Sequence, residues 1–186
     1  AIVGQSGAGK TTLLSLMAGL DNPQSGDIYY HDTALRNLNR DKYRSENIGV
    51  VFQAFHLIPY LTVSENITLV MELANISKEE AKKRVPDLLK KVGLKTEYAN
   101  KRPLQLSGGE QQRVAIARAI STNAEIILAD EPTGNLDDDN SQNVVDIFKK
   151  LAYEDNKCVI IITHTKEISQ QADMIYRIED GKLKDE

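Results

Sequence analysis

The sequence predicts an α/β fold, a mostly parallel central sheet flanked by helices, on three observations. Short apolar runs rich in β-branched residues alternate with longer stretches of helical period. A glycine-rich stretch, GQSGAGKTT, joins the first apolar run to the first helical one. A third run, IILADE, ends in paired acids, the placement expected at the carboxyl edge of a parallel sheet.

Taken in order, strands are expected over 1–4, 48–52, 125–130, 158–163 and 174–178, each a short run of strand-forming residues. The first helix covers 10–18 and stops at Gly19. A second covers 78–92, opened by a capping box of Ser77 and Glu80 and closed by Gly93. Two more are expected over 108–121 and 140–153. Tyr29 and Tyr30 fit a strand of a small residual hairpin. Residues 54–105 form a mostly helical insert, longer than a connection between strands requires. The chain is therefore one domain, a core of 1–53 and 106–186 interrupted by that insert.

With 186 residues, 41% of them apolar and 27% charged, one compact domain is within reach and two are not. Lys and Arg number 23 against 27 Asp and Glu, a balance that argues against a nucleic-acid groove. The longest apolar run, Cys158–Ile162, is far short of the roughly 20 residues that span a bilayer. The lone cysteine, Cys158, is expected as a small buried hydrophobe in a reducing compartment. The chain opens on Ala1 inside an apolar run, so it is expected to be a piece of a longer protein.

Gly4, Gly9, Lys10 and Thr11 match G-x-x-x-x-G-K-[ST]. In such a turn the backbone N–H groups of Gly4, Gln5, Ser6, Gly7, Ala8, Gly9, Lys10, Thr11 and Thr12 converge on phosphate oxygens, and the helix start favours the same anion. Lys10 supplies a point charge and Thr11 a hydroxyl for Mg²⁺. At 126–132, IILADEP lifts Asp130 and Glu131 to a strand end, where Asp130 suits the magnesium shell and Glu131 suits a general base; a solvated turn is the plainer alternative. LSGGEQQRVAIARAI, 106–120, holds a capping box of Ser107 and Glu110 on a helix with a core-facing side. Capping alone does not call for Gly108 and Gly109, and bare amides at a helix start make a second anion surface. Gln53 and His164 alone read as a surface amide and a strand-end histidine.

Together these residues, in this order, resemble the ATP-binding cassette family, the ATPase subunits of ABC transporters. The resemblance covers essentially the whole chain. It implies a P-loop NTPase with a RecA-like core, an ABC-type helical insert at 54–105 and an incomplete antiparallel β subdomain. It implies that Gly4 to Thr12 is the Walker A loop, Gln53 a Gln-loop residue near Mg²⁺ and the attacking water, and Leu106 to Gln111 the signature. Glu131 becomes the catalytic base, Asn135, Leu136 and Asp137 a D-loop beside the nucleotide, and His164 a contact to the transferred phosphoryl group. The cofactors implied are ATP and Mg²⁺. Two cassettes would sandwich two ATP molecules head to tail, so that Ser107, Gly108, Gly109 and Glu110 of one chain meet the nucleotide held by Lys10 of the other.

The tracts DEPTGNLD and VFQAFHLIPYLTVSENI look similar to the bacterial branch for lipoprotein release, macrolide export and antimicrobial-peptide export. That implies an integral-membrane permease as partner and a peripheral place on the cytoplasmic face of the inner membrane. Phe55, Leu57, Ile58 and Leu61 would line the groove for the permease, or simply pack the insert. The alternative is a non-transport cassette of cell-division type whose ATP-driven dimerisation regulates a membrane partner.

Overall fold

The computed structural model describes residues 1–185. Strand β1 (Ile2–Gly4) runs through the glycine-rich loop into α1 (Lys10–Met17). The short strands β2 (Tyr29–Tyr30) and β3 (Thr33–Ala34) come next, then α2 (Arg40–Asn47) and β4 (Ile48–Phe52). Helices α3 (Val63–Leu73), α4 (Lys78–Lys91) and α5 (Gly108–Ala119) succeed them. From there strands and helices alternate: β5 (Ile126–Asp130), α6 (Asp138–Tyr153), β6 (Cys158–Ile162), α7 (Lys166–Ser169), β7 (Tyr176–Glu179) and β8 (Lys182–Asp185).

Six strands form one sheet in the order β4-β5-β6-β1-β7-β8, and β2 and β3 pair separately. Every pairing in the large sheet is parallel except β7 with β8. Strand β5 is flanked on both sides, Phe52, Asp130 and Ile162 lying in register at the carboxyl ends of three neighbours. Both sheet faces are covered, which explains the near-continuous apolar runs. Ile127 and Ala129 join a core with α3, α4, α5 and α6, whereas Leu128 joins a second core with α1 and α2.

The five strands expected from the sequence all form, the last displaced to Tyr176–Glu179. The helix expected at 140–153 begins at Asp138 because Asp137 caps it, accepting from the Asn140 N–H at 2.8 Å. The box expected for Ser77 and Glu80 is half made. Ser77 accepts from the Glu80 N–H, but the Glu80 carboxylate accepts from Arg84 Nε at 2.9 Å instead.

Helix α2 escapes sequence reading because only Tyr43 of its residues is buried, leaving no apolar stripe. The Tyr43 hydroxyl donates to the Met17 carbonyl at 2.9 Å and so ties α2 to α1. Strand β8 is exposed throughout and exists through its pairing with β7 across Asp180 and Gly181, both at positive φ. Cys158 corrects another expectation. It opens β6 at the rim of an apolar hollow of about 510 Å³ lined also by Tyr153 and Met174, and it is exposed.

Close packing of α5 on the sheet depends on Gly49 in β4. A Cβ there would lie 2.3 Å from the Ala119 carbonyl oxygen and 2.8 Å from Ile127 Cδ1. Gly49→Ala should destabilise the fold by about 1–3 kcal/mol, seen as a lower denaturant midpoint at unchanged slope.

The hairpin is tied to the sheet by Tyr30, whose hydroxyl donates to Glu125 at 2.6 Å. Burial, reinforced by the Glu125 carboxylate, pushes the Tyr30 phenol up to about 12. A raised pKa means a stabilising contribution that is whole below the ordinary tyrosine value and lost as pH rises through about 12. Glu125→Gln should lower the Tyr30 titration and shrink the alkaline loss of stability, which then ends at a lower pH. Ultraviolet phenolate absorbance and thermal melts against pH check both; an unmoved titration would reject the tie.

Candidate active site

The glycines of the first loop answer different demands. A Cβ on Gly4 would lie 2.7 Å from the Ile178 carbonyl oxygen, so only glycine lets β1 and β7 approach there. Gly7 and Gly9 instead hold φ of 80° and 99°, which curves the loop back into α1. Lys10 Nζ donates to the Gly4 and Gln5 carbonyls, each at 2.9 Å. An ammonium has three donors, so one remains for an anion lying in the loop. Gln5, Ser6, Thr11 and Thr12 line it, with Ala8 and Gly9 half-buried.

Across the carboxyl edge, Thr11 Oγ1 donates to Asp130 Oδ2 at 3.2 Å. Burial pushes the Asp130 carboxyl above its ordinary range, and the charge of Glu131 adds to the effect; the Thr11 hydroxyl and Lys10 oppose it. A partly buried carboxylate in that condition is a ready partner for a hard cation. Glu131 takes a left-handed φ of 46°, and its N–H donates to the Ile162 carbonyl at 2.9 Å. That turn brings Glu131 Oε1 to 2.8 Å from His164 Nδ1. Gln53, at the end of β4, exchanges hydrogen bonds with Asn135: its Nε2 donates to Asn135 Oδ1 at 3.2 Å, and its carbonyl accepts from Asn135 Nδ2 at 3.0 Å.

The signature residues gather elsewhere. Ser107 Oγ accepts from the Glu110 N–H at 3.3 Å and Glu110 Oε2 accepts from the Ser107 N–H at 2.8 Å, completing the expected box. Glu110 also accepts from the Tyr98 hydroxyl at 2.9 Å, and the Ser107 N–H chiefly holds its carboxyl below the ordinary value. Gly108 lies against Leu136 and Phe55. Gly109 has a packing reason of its own, since a Cβ would come within 2.3 Å of Asn140 Oδ1. Asp137 is held below its ordinary range by Asn140, whose backbone N–H and side-chain amide both donate to it. Thus Lys10, Thr11, Asp130, Glu131 and His164 assemble at one edge with Gln53 beside them, while Ser107 to Glu110 and Asp137 form a second face.

Several organising residues carry no signal in the sequence. Arg118, half-buried, donates from its guanidinium to the carbonyls of Phe55 and His56, two successive residues at φ of 56° and 49°; partial burial lowers its pKa. Buried Asn66 accepts from the Ile58 N–H at 2.8 Å and donates to the Ile58, Leu61 and Thr62 carbonyls, fixing the segment after Gln53. Phe55, Leu57, Ile58 and Leu61 are half-buried, whereas Tyr60 is 74% and Leu104 85% exposed. The Thr62–Glu65 capping box at the start of α3 is a local signal that could have placed that helix.

Comparison with known proteins supplies the chemistry. A profile of the family described as "ABC transporter" matches residues 1–134. YclH of Bacillus subtilis, an uncharacterized ABC transporter ATP-binding protein, is 43% identical over 98% of this chain and 80% of its own length. HrtA of Staphylococcus aureus, an ATP-binding protein named for hemin import, is 45% identical over 98% of this chain and 83% of its own length. The cassette MJ0796 of Methanocaldococcus jannaschii, solved as a post-hydrolysis dimer bound to ADP and Pi, superposes with a TM-score of 0.87 at 40% identity, covering 99% of this chain and 83% of that one. The phosphate loop, the paired acids at the sheet edge and these matches agree: this chain belongs to the ABC transporter family, as an ATP-binding domain with ATPase activity.

Proposed function

We propose that the protein works as a head-to-tail dimer of cassettes that closes around ATP and Mg²⁺ and drives a membrane permease. The observation that carries this reading is that two anion-facing surfaces are built independently, on different elements of one chain. Lys10 bonds within its own loop and Ser107 bonds to Glu110. A second chain, reversed, would lay its signature amides over the nucleotide held by the first. The dimeric ADP and Pi state of MJ0796 supports the arrangement.

In this reading the loop amides and Lys10 hold the β and γ phosphates, and the signature amides of the partner balance the charge that develops. Thr11 and Asp130 are the residues that would hold Mg²⁺, with Gln53 approaching it; the ion's chemistry is neutralisation of phosphate charge. Two protein oxygens suit an ion that takes its remaining ligands from water and phosphate. Glu131 takes the proton of the attacking water. His164, hydrogen-bonded to Glu131 in the structure, keeps that carboxylate aimed and would contact the transferred phosphoryl group. Asp137 orders the start of α6 beside the dimer face.

No helix among the described residues is long and apolar enough to cross a membrane. In this reading a permease subunit supplies the membrane path, and this chain is peripheral on the cytoplasmic side. The sequence tracts around Gln53 and Glu131 favour export or extraction of a lipoprotein, a peptide or a hydrophobic drug. Residues 54–105 form the subdomain facing the permease.

Glu131→Gln should retain ATP binding, slow hydrolysis by about 10²- to 10⁴-fold and trap an ATP-dependent dimer. Size-exclusion chromatography with ATP and a phosphate-release assay check both parts; parent-like turnover would exclude Glu131 as base. Full-length protein in this trapped form, captured from gently solubilised membranes, should bring down a stoichiometric permease. Recovery of soluble partners alone would end the transport reading. A polar substitution at Phe55 should leave basal hydrolysis within a few-fold of the parent and abolish its response to the permease in reconstituted membranes.

A further inference from the structure

Gln112 is completely buried on α5. Its Nε2 donates to the Pro132 carbonyl at 2.6 Å, and its Oε1 is buried without a hydrogen-bond partner. The orientation is fixed, because a prolyl carbonyl only accepts. A half-satisfied buried amide is costly; an apolar residue of similar volume would remove the orphaned Oε1 but leave the Pro132 carbonyl without this donor. Pro132 comes directly after Glu131, whose left-handed φ of 46° is itself unfavourable for a side chain of that size. The clamp on Pro132 therefore falls one peptide beyond the residue whose conformation is strained.

A second tie runs parallel. Arg113, next on α5, donates from Nη1 to Asn140 Oδ1 at 3.2 Å, and Asn140 Nδ2 donates to both Asp137 oxygens at 2.9 Å. Gly109 packs directly on the same Asn140 side chain. The segment from Glu131 to Asn140 is thus fastened to α5 at two points, Pro132 and Asn140.

From these contacts we propose that Gln112 is a positioning residue that transmits engagement of the signature face to Glu131. The inference rests on the head-to-tail reading of the dimer. There, the start of α5 meets the nucleotide held by the partner, whereas Glu131 acts on the nucleotide held by its own chain. Docking of α5 on the partner's nucleotide sets the Pro132 peptide through Gln112 and stabilises the productive turn at Glu131. One chain's two faces, and hence the dimer's two ATP sites, are coupled.

The test uses full-length protein with Gln112→Leu, Gln112→Met and Gln112→Glu. Leu and Met preserve volume without a donor. They should lower kcat by about 10- to 100-fold, the scale of a misplaced catalytic group, with KM for ATP within about twofold of the parent. The Hill coefficient for ATP, expected above one in the parent, should fall toward one. Gln112→Glu regains a donor when protonated, so its kcat relative to the parent should rise as pH falls; this variant keeps the test alive if the apolar ones fail to fold. Loss of thermal stability with kcat and Hill coefficient unchanged would reduce Gln112 to a packing residue and overturn the proposal, as would a lowered kcat with full cooperativity. Glu131→Gln that failed to dimerise with ATP would sink the sandwich reading separately, leaving the kcat of the Gln112 variants to decide the tie to Glu131.

Discussion

Parallel pairing of β4, β5, β6 and β1 brings the carboxyl ends of these strands to one edge of the sheet. The first residues beyond neighbouring strands therefore become neighbours themselves: Gln53 after β4, Glu131 after β5, His164 after β6 and the phosphate loop after β1. In the chain these groups are spread over most of its length. Packing of both faces against apolar cores fixes the register, since a slip of one residue would turn Ile127 and Leu128 to the wrong sides. The candidate chemistry is therefore a consequence of how the sheet is buried.

The sheet leaves the groups adjacent but not oriented, and orientation comes from strained backbone held by buried and half-buried polar side chains. Phe55, His56 and Glu131 all take left-handed conformations that such residues avoid. Each lies next to a clamp. Arg118 grips the Phe55 and His56 carbonyls, Gln112 grips Pro132, and the Glu131 N–H is taken by Ile162. Two of these clamps stand on α5. One helix thus restrains both the turn that carries Glu131 and the segment after Gln53.

Legibility in the sequence tracked how local each determinant was. The strands of the core were readable because both faces are buried, which makes each one a compact apolar run. The helix starts at Ser107 and Lys10 were readable because capping and glycine placement are matters of adjacent residues. Helix α2 was not, having a single buried residue, and β8 was not, since pairing alone holds it. Glu80 shows the limit of a local rule: the motif was present, but Arg84 offered its carboxylate a charged partner. Cys158 failed similarly, because a strand's first residue need not lie under the helices that cover its middle.

By itself the sequence determined the fold class, the phosphate loop and the identity of the groups able to do chemistry, since these depend on residue type and short spacing. The pairing of His164 with Glu131 and the clamps of Gln112, Arg118 and Asn66 were decided only by tertiary structure. Their partners lie in other elements, and burial gives a polar contact its strength by removing the competing water. No rule of local spacing contains that information, because the dielectric around a side chain is a property of everything packed on it.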